Sequence, residues 1–297
     1  MHSSALELFS SIFLKEAAIF KKNFWKVQEE FGTPWQVEFD LHLRRLFGFD
    51  EDAYRGAIRG YTKFALDAMR LQQRFNRTRK YEDLSYEEAC EKVYLNGDYM
   101  LSLYLPGVFV SQFLWRHHYR QFLFHKERFL PLLDRNSDKR FYEVGTGTGF
   151  YTVQMFRHDS RCRGYGIDIS PSSRRFTQQH ADNWGFGANL SLRDVDILTT
   201  ALEPLPCVQT VEVLEHLGDP QAFLHAVRKL LAPGGHAFIA AAMTAPEVDH
   251  IHLYWSSEDI IAQLHQAGFA VEEYVENHAY EGAPGDYVPR LAAFIVS

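Results

Sequence analysis

Between Phe141 and Gly149 the chain reads Phe-Tyr-Glu-Val-Gly-Thr-Gly-Thr-Gly, an apolar run followed by one acid and three alternate glycines. This spacing predicts a buried strand that breaks into a tight turn before a helix. Glycine suits such a turn because a Cβ would obstruct both the bend and the approach of a nucleotide-like ligand to the main chain. A plain tight turn has the same local pattern, so the acids further along must decide. Gly164 to Ile169 reads as a second strand ending at Asp168, where a carboxylate can accept both hydroxyl hydrogens of a ribose. Helix capping is the structural alternative, but Ser170-Pro-Ser172 supplies caps of its own. Asn189 to Val195 reads as a third strand followed by Asp196 and Ile197. An amino group such as adenine's would meet Asp196 there, with Ile197 against the ring; a simple turn aspartate fits equally well.

The elements that must carry these residues fall into two unequal parts. A chain of 297 residues is long enough for one large domain or two modest ones. Leu6, Phe9, Ile12, Phe13, Ala17, Ile19, Phe20, Phe24 and Val27 approximate helical spacing from Ser4 to about Glu30, and Gly32-Thr33-Pro34 is read as the stop. Further helices are predicted over Phe39 to Phe47, Asp50 to Arg74, and Ser85 to Leu95, the last with Ser85 and Glu88 spaced as a capping box. The basic run Arg74 to Lys80 reads as a solvated helix end. Tyr99 to Leu133 crowds aromatic residues around His117, His118 and His125, as core between two lobes or as pocket wall. An all-helical lobe over residues 1–138 and an α/β domain over 139–297 are expected, with the lobe also the candidate surface for a homodimer.

With a formal charge of −7 the chain lacks the basic face that nucleic acid needs, so nucleic acid is not expected as a partner. Cys90, Cys162 and Cys207 are far apart, without metal-ligand spacing, and read as reduced thiols. The N-terminus lacks a basic-then-apolar leader, and no apolar run is long enough for a bilayer. A cytoplasmic protein without membrane contact is the expectation.

Taken in order, Glu143-x-Gly-x-Gly-x-Gly149, Tyr165-Gly-Ile-Asp168, Asp196-Ile197, Glu212-Val-Leu-Glu-His216 and Leu231-Ala-Pro-Gly-Gly-His236 resemble the class I S-adenosylmethionine-dependent methyltransferases. The resemblance covers Arg140 to Ser297. It implies a Rossmann-like, mostly parallel seven-stranded sheet whose last strand is antiparallel, with S-adenosyl-L-methionine as cofactor. It places Glu143, Gly145, Thr146, Gly147, Gly149, Asp168, Ile169, Asp196, Ile197 and Glu212 around that cofactor. The later strands then fall at Cys207 to Val213, His236 to Ala242, Phe269 to Val275 and Leu291 to Val296. One departure is Pro206-Cys207, where the family often has an acid at the start of the fourth strand.

A sulfonium methyl is activated by its own charge, so transfer chiefly needs a nucleophile held in line with it. An acceptor that must lose a proton also needs a base, and His216, His250 and His252 are the candidates. Were the segment extended, alternation would turn His250, His252 and Tyr254 to one side. No third ligand accompanies His250 and His252, so no metal is expected. Tyr99, His117, His118, Tyr119 and Tyr254 are candidate acceptor contacts, as are Glu281, Asp286 and Tyr287 in the turn-rich segment between the last two strands. The expected acceptor is a small molecule of secondary metabolism, methylated at nitrogen or oxygen, with a lean to amine- or guanidine-bearing compounds. A protein or RNA acceptor, or an inactive cofactor-binding partner, are the alternatives.

Overall fold

The computed structural model describes residues 4–82 and 85–297. Met1 to Ser3, part of the stretch read for a leader, lie outside the described residues. Helix α1 (Ala5–Glu16) begins where Ser4 Oγ accepts the Glu7 N–H at 3.1 Å. The single helix expected to reach Glu30 instead breaks at Ala17 into a tight turn, Ala18–Phe20, and α2 (Lys21–Phe47) follows. The expected stop at Gly32 to Pro34 is a kink inside α2. Gly32 takes φ 60° and ψ −149°, and Pro34 lacks the N–H that would continue the ladder. Asp50 Oδ1 caps the next helix, α3 (Glu51–Thr78), by accepting from Asp52 and Ala53.

The capping box of Ser85 and Glu88 forms as expected and starts α4 (Tyr86–Ala89). From there the chain loosens into widened turns over Cys90–Tyr94 and Met100–Tyr104, separated by the short α5 (Gly97–Tyr99). Then come α6 (Leu105–Leu114) and α7 (Arg116–Phe124). Helix α6 crosses α3 where two glycines meet: a Cβ on Gly60 would stand 2.1 Å from Leu103 O, and one on Gly107 2.5 Å from Gly60 C. Either side chain would push the helices apart.

Strands β1 (Arg140–Val144), β2 (Arg163–Ile167), β3 (Leu190–Arg193), β4 (Leu205–Val211), β5 (Leu231–Met243), β6 (Val271–His278) and β7 (Arg290–Val296) form one sheet. The order is β3-β2-β1-β4-β5-β7-β6, with β7 antiparallel to both β5 and β6. The connecting helices are α8 (Phe150–His158), α9 (Pro171–Asn183), α10 (Pro220–Leu230) and α11 (Ser257–Gln266). Strand order reverses between β1 and β4, and in open α/β sheets such a switch opens a crevice at the carboxyl ends of the strands.

Each face of the sheet has its own core. Tyr142, Val208, Ile239 and Phe294 pack with residues of α10 and α11. On the other face Phe141, Phe238 and Ile295 join Phe9, Phe39, Phe113 and Phe122 of the lobe in one continuous cluster. Within it Phe39 and Phe113 stack with centroids 4.5 Å apart. The helical lobe thus covers one sheet face and shares its core. Among the described residues no helix is long and apolar enough to cross a membrane.

Candidate active site

The crevice at the switch point opens into a cavity of about 1510 Å³ between the strand ends and the lobe. Its first wall is the turn after β1. Gly145, Gly147 and Gly149 all take positive φ, 78°, 49° and 67°, but each glycine serves differently. A Cβ on Gly145 would meet Val213 Cγ2 at 2.4 Å, and one on Gly149 would meet Thr177 Cγ2 at 2.8 Å. A Cβ on Gly147 would meet no protein atom within 4 Å; it borders the cavity. The first and last glycines let the turn pack, and the middle one keeps the approach to the backbone open.

Asp168 Oδ2 accepts the Gly147 N–H at 3.0 Å and Oδ1 accepts the Ser170 N–H at 2.8 Å. Ser170 Oγ itself caps α9 through Ser173 N–H, yet Asp168 is not left free, since each of its oxygens accepts a backbone amide. Burial raises the Asp168 carboxyl above its usual range despite those amides. Glu143 is almost fully buried, accepts from Thr152 Oγ1 and from Gln209 Nε2 (3.0 Å), and is pushed up to about 8 by desolvation. Asp196 also lines the cavity but spends its oxygens on the Leu198 N–H (2.8 Å) and Thr199 Oγ1 (3.2 Å), so its turn role is real. Thr146, Ile169, Ile197 and Glu212 complete this end, while Gly149 lies behind the lining. Glu212 takes φ 55°, a left-handed conformation that costs a non-glycine residue roughly 1 kcal/mol. There its Oε1 accepts from Gln121 Nε2 at 3.0 Å, tying β4 to α7.

The opposite end is built around His216 and Asp249. Tyr94 and Tyr104, both from the lobe, donate to Asp249 Oδ2 at 3.0 and 2.8 Å. With the Tyr94 proton so committed, His216 Nδ1 is assigned as the N–H that reaches Asp249 O (3.1 Å) and Tyr94 Oη (2.8 Å). This leaves Nε2 as the basic atom. Burial pulls the His216 imidazole down, but Asp249 and the neighbouring acids outweigh it, and the net direction is up. His250 stacks edge-on against it with centroids 4.7 Å apart and gives Nδ1–H to Ala245 O at 2.6 Å. Burial and the charge of His216 lower His250 to about 3, so it stays neutral.

Several candidates stand elsewhere. The segment after β5 is a loop, not an extended strand, so only His250 of its expected trio lines the cavity. His252 packs its ring on Tyr254, and Tyr254 is core, donating to Gln263 Oε1 at 2.7 Å. Tyr119 is buried against Phe31, Phe113 and Phe122. Tyr99 lies behind Tyr104, outside the lining. Glu281, Asp286 and Tyr287 are exposed. Tyr287 packs on Phe75 and lies under the Arg79 guanidinium, pinning its loop to α3; Ala279, Tyr280 and Pro289 are the loop residues that reach the cavity. His117 and His118 do line it. A different set from His250 and His252 clusters here: Glu215, His216 and His250 bring possible ligand atoms within 4.8 Å of one another. Local spacing does not mark Tyr94, Tyr104, Gln121 and Asp249 as site residues, because their partners come from another element; nor does it mark Glu247, which borders the cavity. The Asp249-His250 pair beside a named histidine was the available signal.

A family model for a methyltransferase domain matches residues 115–274. The ubiquinone biosynthesis O-methyltransferase of Parvibaculum lavamentivorans is 32% identical over 103 residues, 35% of this chain and 40% of that protein. The Coxiella burnetii protein of the same name is 28% identical over 102 residues, 34% of this chain and 43% of the relative. The matched segment thus spans about two fifths of these relatives. The N-methyltransferase NodS from Bradyrhizobium japonicum WM9, solved with S-adenosyl-L-homocysteine, aligns over 61% of this chain and 87% of its own with 24% identity and a TM-score of 0.46. On the sheet order, the glycine turn, the acid at the second strand end and the matched domain, the chain belongs to the class I S-adenosylmethionine-dependent methyltransferases.

Proposed function

We propose that the protein transfers a methyl group from S-adenosyl-L-methionine to a hydroxyl or amine of a small molecule. The observation that carries this reading is the single cavity that joins Gly147 and Asp168 at one end to His216 at the other. The residues fit the cofactor: an open glycine, a ribose-directed acid, apolar Ile169 and Ile197 for a ring, and the buried acid Glu143 for an amine. When bound, S-adenosyl-L-methionine supplies a methyl already activated by its sulfonium charge.

The chain's own part is to position the acceptor and take its proton. Tyr94 and Asp249 fix the His216 ring through Nδ1, so Nε2 can accept a proton from a hydroxyl or ammonium in the cavity. His250 and the aromatic walls exclude water from that end. The names of the curated relatives favour oxygen as the accepting atom, and the cavity's ring-lined interior suits a small acceptor better than a nucleic acid strand.

Calorimetry with S-adenosyl-L-homocysteine, followed by labelled cofactor and a panel of amines, guanidines, phenols and carboxylates, tests the reading. Binding of the cofactor product and methylation of at least one panel compound are expected. No binding would overturn the reading, and binding without any methylated metabolite would favour an inactive or macromolecular role. Because His216 Nε2 is assigned as a base, excess EDTA should leave turnover unchanged; a chelator-sensitive rate restored by a divalent ion would reassign Glu215, His216 and His250 as ligands.

A further inference from the structure

The mechanism makes no use of Glu247. It lies in the loop after β5, borders the cavity, and has an Oε2 atom that is buried with no hydrogen-bond partner. Asp249, two residues on, is 1% exposed and lines the same wall. Its Oδ2 is taken by the two tyrosines, but its Oδ1 is also buried and unpartnered. Leaving two carboxylate oxygens buried and unpaired is costly in any folded chain.

His216 offsets Asp249 in part, its Nδ1 lying 3.6 Å from Asp249 Oδ2, but among the described residues no cation stands beside Glu247. Among the described residues no lysine or arginine pairs with Glu247 or Asp249. The cations on the nearby face of α3, Lys63 and Arg70, are both turned to Asp67. Desolvation first, then Asp249, Asp67 and Glu212, push the Glu247 carboxyl well above the usual carboxylate range. The acid is therefore held ready for a positive guest and stabilised by none of its own neighbours.

The adjoining wall is aromatic. Tyr104, whose hydroxyl is held by Asp249, packs edge-on against Phe64 at 6.1 Å, and Phe64 stacks on Trp115 at 4.9 Å; all three rings line the cavity. Ring faces attract an alkylammonium, and a carboxylate beside them adds a charge-assisted hydrogen bond. We propose that Glu247, with Asp249 beside it, binds an ammonium group carried by the methyl acceptor against the rings of Tyr104, Phe64 and Trp115. This rests on the reading that the cavity holds a small methyl acceptor, and it assigns to that acceptor a cationic amine.

The test uses the full chain saturated with S-adenosyl-L-homocysteine, titrated by calorimetry with phenethylammonium and with its neutral analogue 2-phenylethanol. The native protein should bind the cation roughly tenfold more tightly or better. Glu247→Gln should bring the two ligands to similar affinity while leaving affinity for S-adenosyl-L-homocysteine unchanged, and Glu247→Asp should restore part of the preference. Equal affinity in the native protein, or a preference that survives Glu247→Gln, overturns the proposal. So does a Glu247→Gln variant that loses affinity for S-adenosyl-L-homocysteine, which would assign the acid to the cofactor instead. Absence of S-adenosyl-L-homocysteine binding in the native protein would be a failure of the methyltransferase reading itself, seen before either amine probe is added.

Discussion

A base must be neutral to accept a proton, so in the proposed reaction the environment of His216 sets the pH range of turnover. Its imidazole is raised above the ordinary histidine value chiefly by Asp249 acting against burial. Turnover should therefore be lost as pH falls through that raised value and recovered as pH rises above it. Asp249→Asn removes the anion and should move this acidic limb to lower pH, which a kcat/KM profile would show. An unmoved limb would exclude His216 as the titrating base. His216→Gln should reduce kcat by about a hundredfold or more, with S-adenosyl-L-homocysteine affinity preserved. The glycines give a second contrast at this scale. Gly149→Ala meets Thr177 as well as an unfavourable φ, so its thermal midpoint should fall. Gly147→Ala meets no protein atom and carries only the backbone cost of roughly 1–2 kcal/mol. Its main effect should be weaker binding of S-adenosyl-L-homocysteine by calorimetry.

Among the elements, the segment from α4 to the start of α6 is the one whose hold on the site is adjustable. Its widened turns over Cys90–Tyr94 and Met100–Tyr104 place two tyrosine hydroxyls on one carboxylate oxygen of Asp249. Ser170 Oγ adds a bond to Tyr94 O at 2.9 Å, joining the same segment to the start of α9. This part of the lobe thus touches both the cofactor end and the acceptor end. Replacing both tyrosines with phenylalanine removes the two bonds to Asp249 and leaves its carboxylate further unsatisfied. Hydrogen exchange over residues 85–104 should accelerate in that double variant while the sheet keeps its protection. Unchanged exchange there would mean that packing, not the Asp249 contacts, holds the segment down.

For the whole molecule, the lobe and the sheet form one cooperative unit. The aromatic cluster runs from Phe9 and Phe39 through Phe113 and Phe122 to Phe141 and Phe238, with buried polar contacts such as Gln154–His42 and His125–Gln209 set into the junction. Burying an aromatic or aliphatic side chain contributes about 1.5–3 kcal/mol, so separating the two parts would expose many such contributions at once. Denaturant unfolding followed by tryptophan fluorescence and by far-ultraviolet circular dichroism should therefore give one coincident transition. Two resolved transitions would show that the lobe folds independently. Phe238→Ala, at the junction, should lower stability by about 3–5 kcal/mol and should do so for both probes together.

The sequence by itself determined where β1 and β2 end and where α4 begins, because local patterns carry these points: the alternate glycines after Glu143, the acid closing β2, and the Ser85-Glu88 capping box all act over a few residues, whereas β4, β5 and β6 run over Leu205–Val211, Leu231–Met243 and Val271–His278 and not over the bounds expected. Those short-range rules also made most strands legible, while the antiparallel last strand was implied by the family resemblance alone. They could not show that Pro34 kinks α2 without ending it, since the flanking helical segments are held by packing across the lobe. Nor could they distinguish His250, which faces the cavity, from His252 and Tyr119, which pack elsewhere, because histidine and tyrosine serve core and site alike. Tyr94, Tyr104 and Asp249 meet across 155 and 145 residues of chain, and the acceptor end exists only once the lobe is folded onto the strand ends. The turn proposed for the cofactor is written in local backbone geometry, whereas the proposed acceptor site is a product of long-range packing, and only the tertiary structure brought its acids, rings and histidine together.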